Sequence, residues 1–170
     1  MNSATTTTTA NATINVTASP SIEARMDGDI YIYPLRIFYE DTDAAGIVYY
    51  ANYLKFIERA RTEMLRAAGI NHSGMQAAYG CVFVVRSCML DYILPARLDD
   101  IVDIHTRIIA VKGASLIAEQ NVLRATQILV RSELRLACMG ENGAPMRFPP
   151  ILRSALEAMQ RGQLPAKTGL

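Results

Sequence analysis

The sequence contains no tryptophan, only two histidines and only three cysteines among its 170 residues. Three cysteines are too few for a disulfide framework, and their odd number favours reduced thiols in a cytoplasmic protein. The apolar, strand-like surroundings of Cys81 and Cys88 predict that both thiols are buried. Neither histidine, His72 or His105, has the spacing from a cysteine that is typical of a metal site. We therefore expect neither a metal nor a redox cofactor.

Charge of neither sign is in excess, since 17 lysines and arginines face 16 aspartates and glutamates. Nucleic-acid-binding domains usually carry a basic excess, so this balance excludes nucleic acid as an expected partner. The sequence also lacks an apolar run of the ~18 residues that a membrane-spanning helix needs. Its hydrophobic fraction of 51% is nevertheless enough to build the core of one domain.

The two ends of the chain differ in composition from the stretch between them. Residues 1–28 are rich in Thr, Ala, Ser and Asn, and they lack the basic start and apolar centre of a signal peptide. Such a segment buries too little apolar surface to offset its ordering entropy, so we expect a disordered, low-complexity extension. Residues 29–160 are the predicted domain, and residues 161–170 are expected to form a loose tail.

The hydrophobic pattern of the domain changes its period along the chain. After a β-like run at 29–39, apolar residues spaced by three and four predict a long helix over 53–68, with Asn52 as its N-cap and Gly69 as its stop. The later predicted elements are a helical turn at 73–79, strands at 81–94, 100–112, 115–124 and 127–139, and a helix at 151–160. One long helix ahead of four strands is buried only if the sheet wraps around it, which predicts an α+β fold.

The most informative stretch lies between the first strand and the long helix. It carries two acids, Asp41 and Asp43, and then Gly46, whose flexibility lets the chain bend back toward the helix start. An ionised carboxylate is able to act as a nucleophile or a base. The free N–H groups of a helix N-terminus stabilise a developing oxyanion. Either acid is also able to cap a turn, which is the structural alternative to a catalytic role.

The full motif is longer than this acid pair. It reads Tyr39-x-Asp41-Thr42-Asp43-x-x-Gly46-x-Val48-Tyr49-x-x-x-Tyr53, followed by Phe56-x-Glu58-x-Ala60-Arg61. It resembles the 4-hydroxybenzoyl-CoA thioesterase family of hotdog-fold proteins, and most closely the bacterial acyl-CoA thioesterases associated with the Tol–Pal gene cluster. The resemblance implies a hotdog fold, in which an antiparallel β-sheet wraps around one long central α-helix, and it implies hydrolysis of acyl-CoA.

By position, the resemblance implies that Asp43 is catalytic and that a peptide N–H near Tyr50 polarises the thioester carbonyl. Tyr39 and Tyr50 belong to the same site in similar enzymes, although the Tol–Pal group commonly has histidine where this sequence has Tyr50. Gly46 and Val48 lie within the motif and are expected on the substrate-binding side of the site. Coenzyme A is then part of the substrate and not a cofactor.

Three further predictions concern the surroundings of this site. Lys112, at a strand junction, is the best candidate to bind the phosphates of coenzyme A. Glu58 on the long helix is a second carboxylate for the site, with an ion pair at the surface or at an interface as its alternative role. The apolar strand at 81–94 would form an exposed edge. The family solution is a homodimer with one continuous sheet, often paired again into a homotetramer.

More than one function is compatible with this pattern. The leading prediction is an acyl-CoA thioesterase, with acyl carrier protein as a second carrier of the acyl group. The runner-up is an aromatic acyl-CoA thioesterase that acts on hydroxybenzoyl-type substrates. A different class of function is a protein that binds acyl thioesters or partner proteins without turnover, and the presence of Asp43 argues against it.

Overall fold

The computed structural model of the protein describes residues 22–165. Within them, the strands are β1 Arg25–Asp27, β2 Ile30–Arg36, β3 Cys81–Tyr92, β4 Ile101–Val111, β5 Ser115–Arg124 and β6 Gln127–Gly140. The helices are α1 Asn52–Ala67, α2 His72–Tyr79 and α3 Pro150–Gln160, and a 3-10 turn covers Tyr39–Asp41. The predicted order of elements is therefore observed, with one short strand added before it.

The described strands form a single sheet in the order β1-β2-β4-β5-β6-β3, and every neighbouring pair is antiparallel. Helix α1 packs against β2, β4 and β5 in the middle of this sheet. The predicted α+β architecture is thus confirmed. The two edges differ greatly in length, because β1 has 3 residues and β3 has 12.

Strand β1 corrects the predicted boundary of the N-terminal extension. We expected disorder through residue 28, but Arg25–Asp27 pairs with β2 through a turn at Gly28, whose φ is +56°. The side chain of Met26 packs against the core, so this short segment does bury apolar surface. Residues 1–21 of the extension and 166–170 of the predicted tail lie outside the described residues.

Helix α1 buries the side that its apolar spacing predicts. The side chains that are at most 2% exposed include Tyr53, Phe56, Ile57, Ala60, Met64 and Leu65. They join a core that also contains the inner face of the sheet and the apolar side of α3, including Leu152, Leu156 and Met159. Gly69 has a φ of +77° just past the end of α1, in agreement with its predicted role as a stop. Across residues 22–165, no helix combines the length and apolar character needed to cross a membrane.

The prediction that Asn52 caps α1 is wrong. The helix begins at Asn52 itself, Ala51 occupies the N-cap position, and Ala51 has no side chain with which to cap. The side-chain amide of Asn52 instead donates a hydrogen bond to the backbone carbonyl of Asp41 at 2.9 Å. Asn52 therefore ties the acid-bearing loop to the first turn of the helix.

Two other side chains lie where the sequence does not predict them. Cys88 is exposed rather than buried, because β3 is an edge strand with no neighbour on its outer side. Cys81 and Cys138 are buried, and all three thiols are free. Arg61, which the helical spacing assigns to the polar side of α1, is only 5% exposed. Its guanidinium lies against Gln120 of β5.

Candidate functional site

The acid-bearing stretch folds into a small hairpin between the 3-10 turn and α1. Thr42 and Val48 pair as an isolated antiparallel bridge, and the N–H of Asp43 donates to the carbonyl of Ile47 at 2.9 Å. The N–H of Gly46 closes a tight turn on the carbonyl of Asp43 at 2.9 Å. Gly46 has a φ of +70°, and a Cβ placed there would meet nothing within 4 Å. The turn therefore requires glycine for its backbone conformation and not for lack of space.

This hairpin is fixed from one side by the segment that follows β3. Val48 N–H donates to the carbonyl of Ala96 at 2.9 Å, and Ile47 pairs with Arg97. The N–H of Ala96 in turn donates to the hydroxyl oxygen of Tyr53 on α1 at 2.8 Å. Burial raises the pKa of Tyr53, so its hydroxyl stays neutral in this contact. The hairpin and the start of α1 thus share one support.

The two acids of the motif have different surroundings. Asp41 is used for structure, since one of its carboxylate oxygens accepts the N–H of Phe38 at 2.9 Å. Its carbonyl also accepts the N–H of Tyr49 at 2.9 Å. Asp43 is exposed, and its Oδ1 accepts the N–H of Ala45 at 2.8 Å. Both acids therefore cap turns. Within residues 22–165, Oδ2 of Asp43 has no hydrogen-bond partner.

Free backbone donors lie at the start of α1. The N–H of Asn52 is used by the carbonyl of Tyr49 at 2.8 Å, but the N–H groups of Tyr50 and Ala51 have no acceptor in the described part of the chain. The positive end of the helix dipole lies at the same place. The Tyr50 hydroxyl raises the pKa of Tyr49, and the negative charge of Asp43 contributes in the same direction. Tyr49 therefore lies within the electrostatic influence of Asp43 and directly precedes the two unused N–H donors.

A cavity of about 240 Å³ opens beside the helix start. It is lined by Ile47, Val48, Tyr50, Tyr53, Tyr92, Ile93, Leu94 and Pro95. Val48, predicted on the substrate side, is 3% exposed and forms part of this wall. A larger depression of about 520 Å³ lies on the outer face of the sheet, among Glu119, Arg131 and Glu133, and shares no residue with the hairpin. The apolar lining of the smaller cavity suits an acyl group.

Two of the predicted site residues are not brought into this arrangement. The side chain of Tyr39 is 82% exposed and contacts none of the other site residues in the described chain. Lys112 follows β4, whereas the hairpin lies near the beginning of that strand, where Ile37 N–H bonds the carbonyl of Asp100 at 2.8 Å. The 11 residues of β4 separate these ends by roughly 35 Å. Within one chain, Lys112 therefore lies too far away to contact a substrate at Asp43.

The carboxylate of Glu58 is bound to other side chains of α1. It forms an ion pair with Arg61 and accepts the hydroxyl of Thr62 at 3.3 Å.

Tyr92 is a residue that the sequence does not single out, and its ring lines the cavity. The only local signal was its place at the end of an apolar strand just before Pro95. Among the described residues, no three His, Cys, Asp or Glu side chains are grouped as metal ligands would be.

Comparison with known proteins connects this geometry to a family. Residues 39–156 match the model of the thioesterase-like superfamily. The chain is 37% identical over 131 residues to the acyl-CoA thioesterase YbgC of Haemophilus influenzae, covering 76% of this chain and 96% of that protein. It is 41% identical over 128 residues to the acyl-CoA thioester hydrolase YbgC of Escherichia coli, covering 74% of this chain and 90% of that protein.

Solved structures agree with the fold. A probable thioesterase from Bartonella henselae superposes with a TM-score of 0.68 at 35% identity, covering 71% of this chain and 99% of that one. A Staphylococcus aureus protein, SAV2348, solved in complex with CoA, superposes with a TM-score of 0.75 at 11% identity, covering 82% and 89% of the two chains. The second likeness concerns the fold alone. Together with the family match, these structures confirm the predicted hotdog fold.

Proposed function

Because this chain belongs to the thioesterase-like superfamily, we propose that it hydrolyses the thioester of acyl-CoA to a free acid and a thiol. The observation that carries this proposal is that Asp43, whose Oδ2 has no partner in the described residues, and the unused N–H donors at the start of α1 belong to one short segment, residues 43–51. A thioester carbonyl needs such a donor, because negative charge develops on its oxygen during hydrolysis. The apolar cavity beside these groups suits the acyl chain.

Asp43 supports two routes for the reaction. As a nucleophile, its carboxylate attacks the carbonyl carbon, the thiolate leaves, and water then hydrolyses the resulting anhydride. As a general base, it removes a proton from water, the hydroxide adds to the carbonyl carbon, and collapse of the tetrahedral oxyanion breaks the C–S bond and releases the thiolate. In both routes the N–H of Tyr50 or Ala51 stabilises the oxyanion, and the thiolate leaving group takes up a proton.

Replacement of Asp43 by asparagine tests this assignment. Asparagine keeps an oxygen for the N–H of Ala45, so the turn should survive. We expect thiol release from a panel of acyl-CoAs to fall by at least about a hundredfold, because the nucleophile or base is lost. Asp29→Asn is the matched control, because Asp29 pairs with Arg107 at the other end of β2. Wild-type turnover in Asp43→Asn would remove Asp43 as the catalyst, and no turnover by the wild type would favour binding without catalysis.

We also propose that the working unit is a homodimer joined through β3. This strand is a long edge, and Val85 and Met89 on it are 49% and 69% exposed. An exposed apolar edge of this length is normally covered, because it otherwise pairs with other chains. A homotetramer would be two such dimers. Static light scattering tests the proposal, and a fully active monomer would overturn it.

Antiparallel pairing of two β3 strands would also explain Lys112. Strand β3 begins at the Lys112 end of the sheet, where Cys81 pairs with Gly140, and it ends at the cavity with Tyr92. A second β3 that runs in the opposite direction would bring the Lys112 end of the partner's sheet beside this cavity. On this basis we propose that Lys112 binds the coenzyme A phosphates at the site of the opposite subunit.

Lys112→Glu tests this cross-subunit contact. We expect KM for acyl-CoA to rise several-fold because a phosphate contact becomes repulsive. The KM for the same acyl group on a short thiol without phosphates should not change. Arg161→Glu is the matched control, since the neighbouring Gly162 lies against the turn at Gly28, beside the β1 edge. An equal rise in KM for both substrates would show that Lys112 does not bind the phosphates.

A second candidate substrate is an aromatic acyl-CoA, because Tyr50, Tyr53 and Tyr92 supply three aromatic rings to the cavity wall. Aromatic side chains pack favourably on an aromatic acyl group. A kcat/KM for benzoyl-CoA that is higher than the kcat/KM for straight-chain acyl-CoAs would favour it.

Three predictions from the sequence stay predictions. They are acyl carrier protein as a second acyl carrier, a cytoplasmic location, with which the three free cysteines are consistent, and a link to the Tol–Pal system.

A further inference from the structure

The cavity beside the start of α1 is small and adjoins the hairpin that carries Asp43. Its volume of about 240 Å³ is below the roughly 300–1,000 Å³ of pockets that hold drug-sized ligands. Ile47 lines this cavity, and the carbonyl of Ile47 accepts the N–H of Asp43 at 2.9 Å. A cavity of this size next to the acid suits a short acyl chain or a single aromatic ring.

The cavity ends at the ring of Tyr92. The side chains of Tyr92, Leu90 and Cys88 point to the same side of β3, because these residues pair with alternate, buried residues of β6. Of the three, only Tyr92 lines the cavity. Leu90 packs partly against the core and Cys88 is exposed, so this side of the strand continues past Tyr92 without forming part of the cavity. The Tyr92 ring therefore separates the cavity from the space along the rest of β3.

Three contacts hold this ring in place. The hydroxyl of Tyr92 donates a hydrogen bond to the backbone carbonyl of Tyr50 at 3.1 Å. The rings of Tyr50 and Tyr53 meet the Tyr92 ring edge-on, at centroid distances of 6.3 and 5.8 Å. Burial raises the pKa of Tyr92, so at neutral pH the hydroxyl keeps the proton that it donates. The end of β3 is thereby joined to the start of α1, and both elements line the cavity.

We propose that Tyr92 sets the longest acyl chain that the thioesterase site accepts, because its ring closes the end of the cavity. The inference rests on the proposed function, since it describes how the same site selects its substrate. A chain that fits the cavity buries its methylene groups against apolar walls, which favours binding. A longer chain has to displace the Tyr92 ring and break its bond to Tyr50, or leave its end in water. Tyr92 is thus a specificity-determining residue and takes no part in the chemical step.

Tyr92→Ala tests this chain-length limit with a series of straight-chain acyl-CoAs. In the wild type, kcat/KM should rise about fourfold with each added methylene and stop rising once the cavity is full. In Tyr92→Ala the rise should continue into longer chains, because the space beside Leu90 joins the cavity. Tyr92 is 46% exposed at the end of an edge strand, so this variant should fold. Asp91→Ala is the matched control and should keep the wild-type limit, since Asp91 lines the depression on the outer face of the sheet.

Tyr92→Phe separates the ring from the hydrogen bond. This variant keeps the ring, so its chain-length limit should lie closer to that of the wild type than to that of Tyr92→Ala. An equal shift in both variants would show that the lost bond to Tyr50, and not the ring, sets the limit, which would overturn the inference. The same limit in Tyr92→Ala and in the wild type would overturn it as well.

A binding measurement distinguishes this inference from the proposed function. S-alkyl-CoA thioethers of increasing chain length lack the carbonyl and are not hydrolysed, so calorimetry measures their affinity directly. The affinity should stop rising at a chain length that is greater in Tyr92→Ala than in the wild type. A wild type that binds the thioethers with this limit but hydrolyses no acyl-CoA would defeat the proposed function alone. Turnover by the wild type without a chain-length limit would defeat the inference alone.

Discussion

Some polar groups at the start of helix α1 lack hydrogen-bond partners within residues 22–165, whereas those in the middle of the helix are bonded to one another. At the start, the N–H groups of Tyr50 and Ala51 have no acceptor in the described chain, and Asp43 is exposed with one oxygen unused. In the middle, Arg61 and Gln120 are buried and bonded to each other at 2.8 Å. The start of the helix thus has unused hydrogen-bonding groups, whereas the buried side chains in its middle are bonded to one another.

The middle of α1 is a closed polar cluster. The side-chain amide of Gln120 donates to the backbone carbonyl of Ile57 and to the hydroxyl of Thr106, both at 3.0 Å, while the backbone carbonyl of Gln120 accepts the hydroxyl of Ser132. No buried side-chain nitrogen or oxygen in the described residues is left without a partner. Burial lowers the pKa of Arg61 to about 10, which reflects the cost of placing its charge there. These groups therefore specify the packing of α1 on the sheet and have no capacity left for a ligand.

The comparison implies that mutations in the two regions should separate activity from stability. Asp43→Asn, described above, should lower turnover and leave the free energy of unfolding nearly unchanged, since its turn is retained. Substitutions in the middle of α1 should do the reverse. The predictions that follow test this separation.

The largest effect on stability is expected from Gln120→Leu. Leucine keeps most of the volume but leaves Nη1 of the buried Arg61 without its acceptor, although the ion pair of Arg61 with Glu58 remains. This loss should lower the free energy of unfolding by about 2 kcal/mol. Urea denaturation measures this loss. Molecules that remain folded should keep their kcat, because Gln120 does not contact the site.

Two variants serve as controls for Gln120→Leu. One replaces Glu119, which also lies in β5, and the other replaces both Gln120 and Arg61. Glu119→Gln on the opposite face of β5 should change the free energy of unfolding by less than about 0.5 kcal/mol. The double variant Gln120→Leu with Arg61→Met should recover part of the loss, since a buried polar pair replaced as a whole costs less than a broken one. If the double variant is less stable than Gln120→Leu, the unpaired nitrogen of the Arg61 guanidinium is not the cause of the lost stability.

A smaller effect is expected at the hairpin from Gly46→Ala. The φ of +70° is strained for alanine, so the free energy of unfolding should fall by about 1 kcal/mol. Turnover should fall as well, because the turn places Asp43. Gly113→Ala serves as control, since a Cβ there meets nothing within 4 Å and its φ is not positive. Equal losses in the two variants would mean that backbone strain is not the cause.

The last effect is absent at neutral pH and appears only in alkaline solution. It concerns Tyr53, which is a buried group at the start of α1 whose hydroxyl already has a partner. Burial raises its folded pKa above the unfolded value of ~10. Its contribution to stability is therefore complete below about pH 10 and is lost as the pH rises through the folded pKa. In Tyr53→Phe, the fall of the unfolding free energy above about pH 10 should be shallower by up to ~1.4 kcal/mol per pH unit.

Urea unfolding at several values between about pH 9 and 11 measures this slope. Tyr31→Phe is the comparison variant, because burial raises the pKa of Tyr31 to about 12 and predicts a similar flattening. If the unfolding free energy of Tyr53→Phe falls with pH as steeply as that of the wild type, the pKa of Tyr53 is the same in the folded and unfolded states.

Local patterns in the sequence were sufficient for the order of the elements and for the α+β class of the fold. The spacing of apolar residues in α1, the alternation in β4 and β6, and the acid-bearing motif before the helix all depend on neighbours within a few positions. They predicted an α+β arrangement with Asp43 and Gly46 in the loop just before the helix, and the resemblance of the motif to a known family implied the hotdog fold. The same reasoning failed for Asn52, whose amide binds Asp41, 11 positions earlier.

The remaining features depend on contacts that no local pattern contains. Arg61 is buried because Gln120, 59 positions later, meets it across the core, and Cys88 is exposed because β3 pairs on one side only. Tyr92 reaches the Tyr50 carbonyl because the sheet carries the end of β3 over the start of α1. The sequence by itself determined the elements and the acid of the proposed site. Only the tertiary structure decided which donors stay free and which are used, since that depends on which distant chain segments the fold brings together.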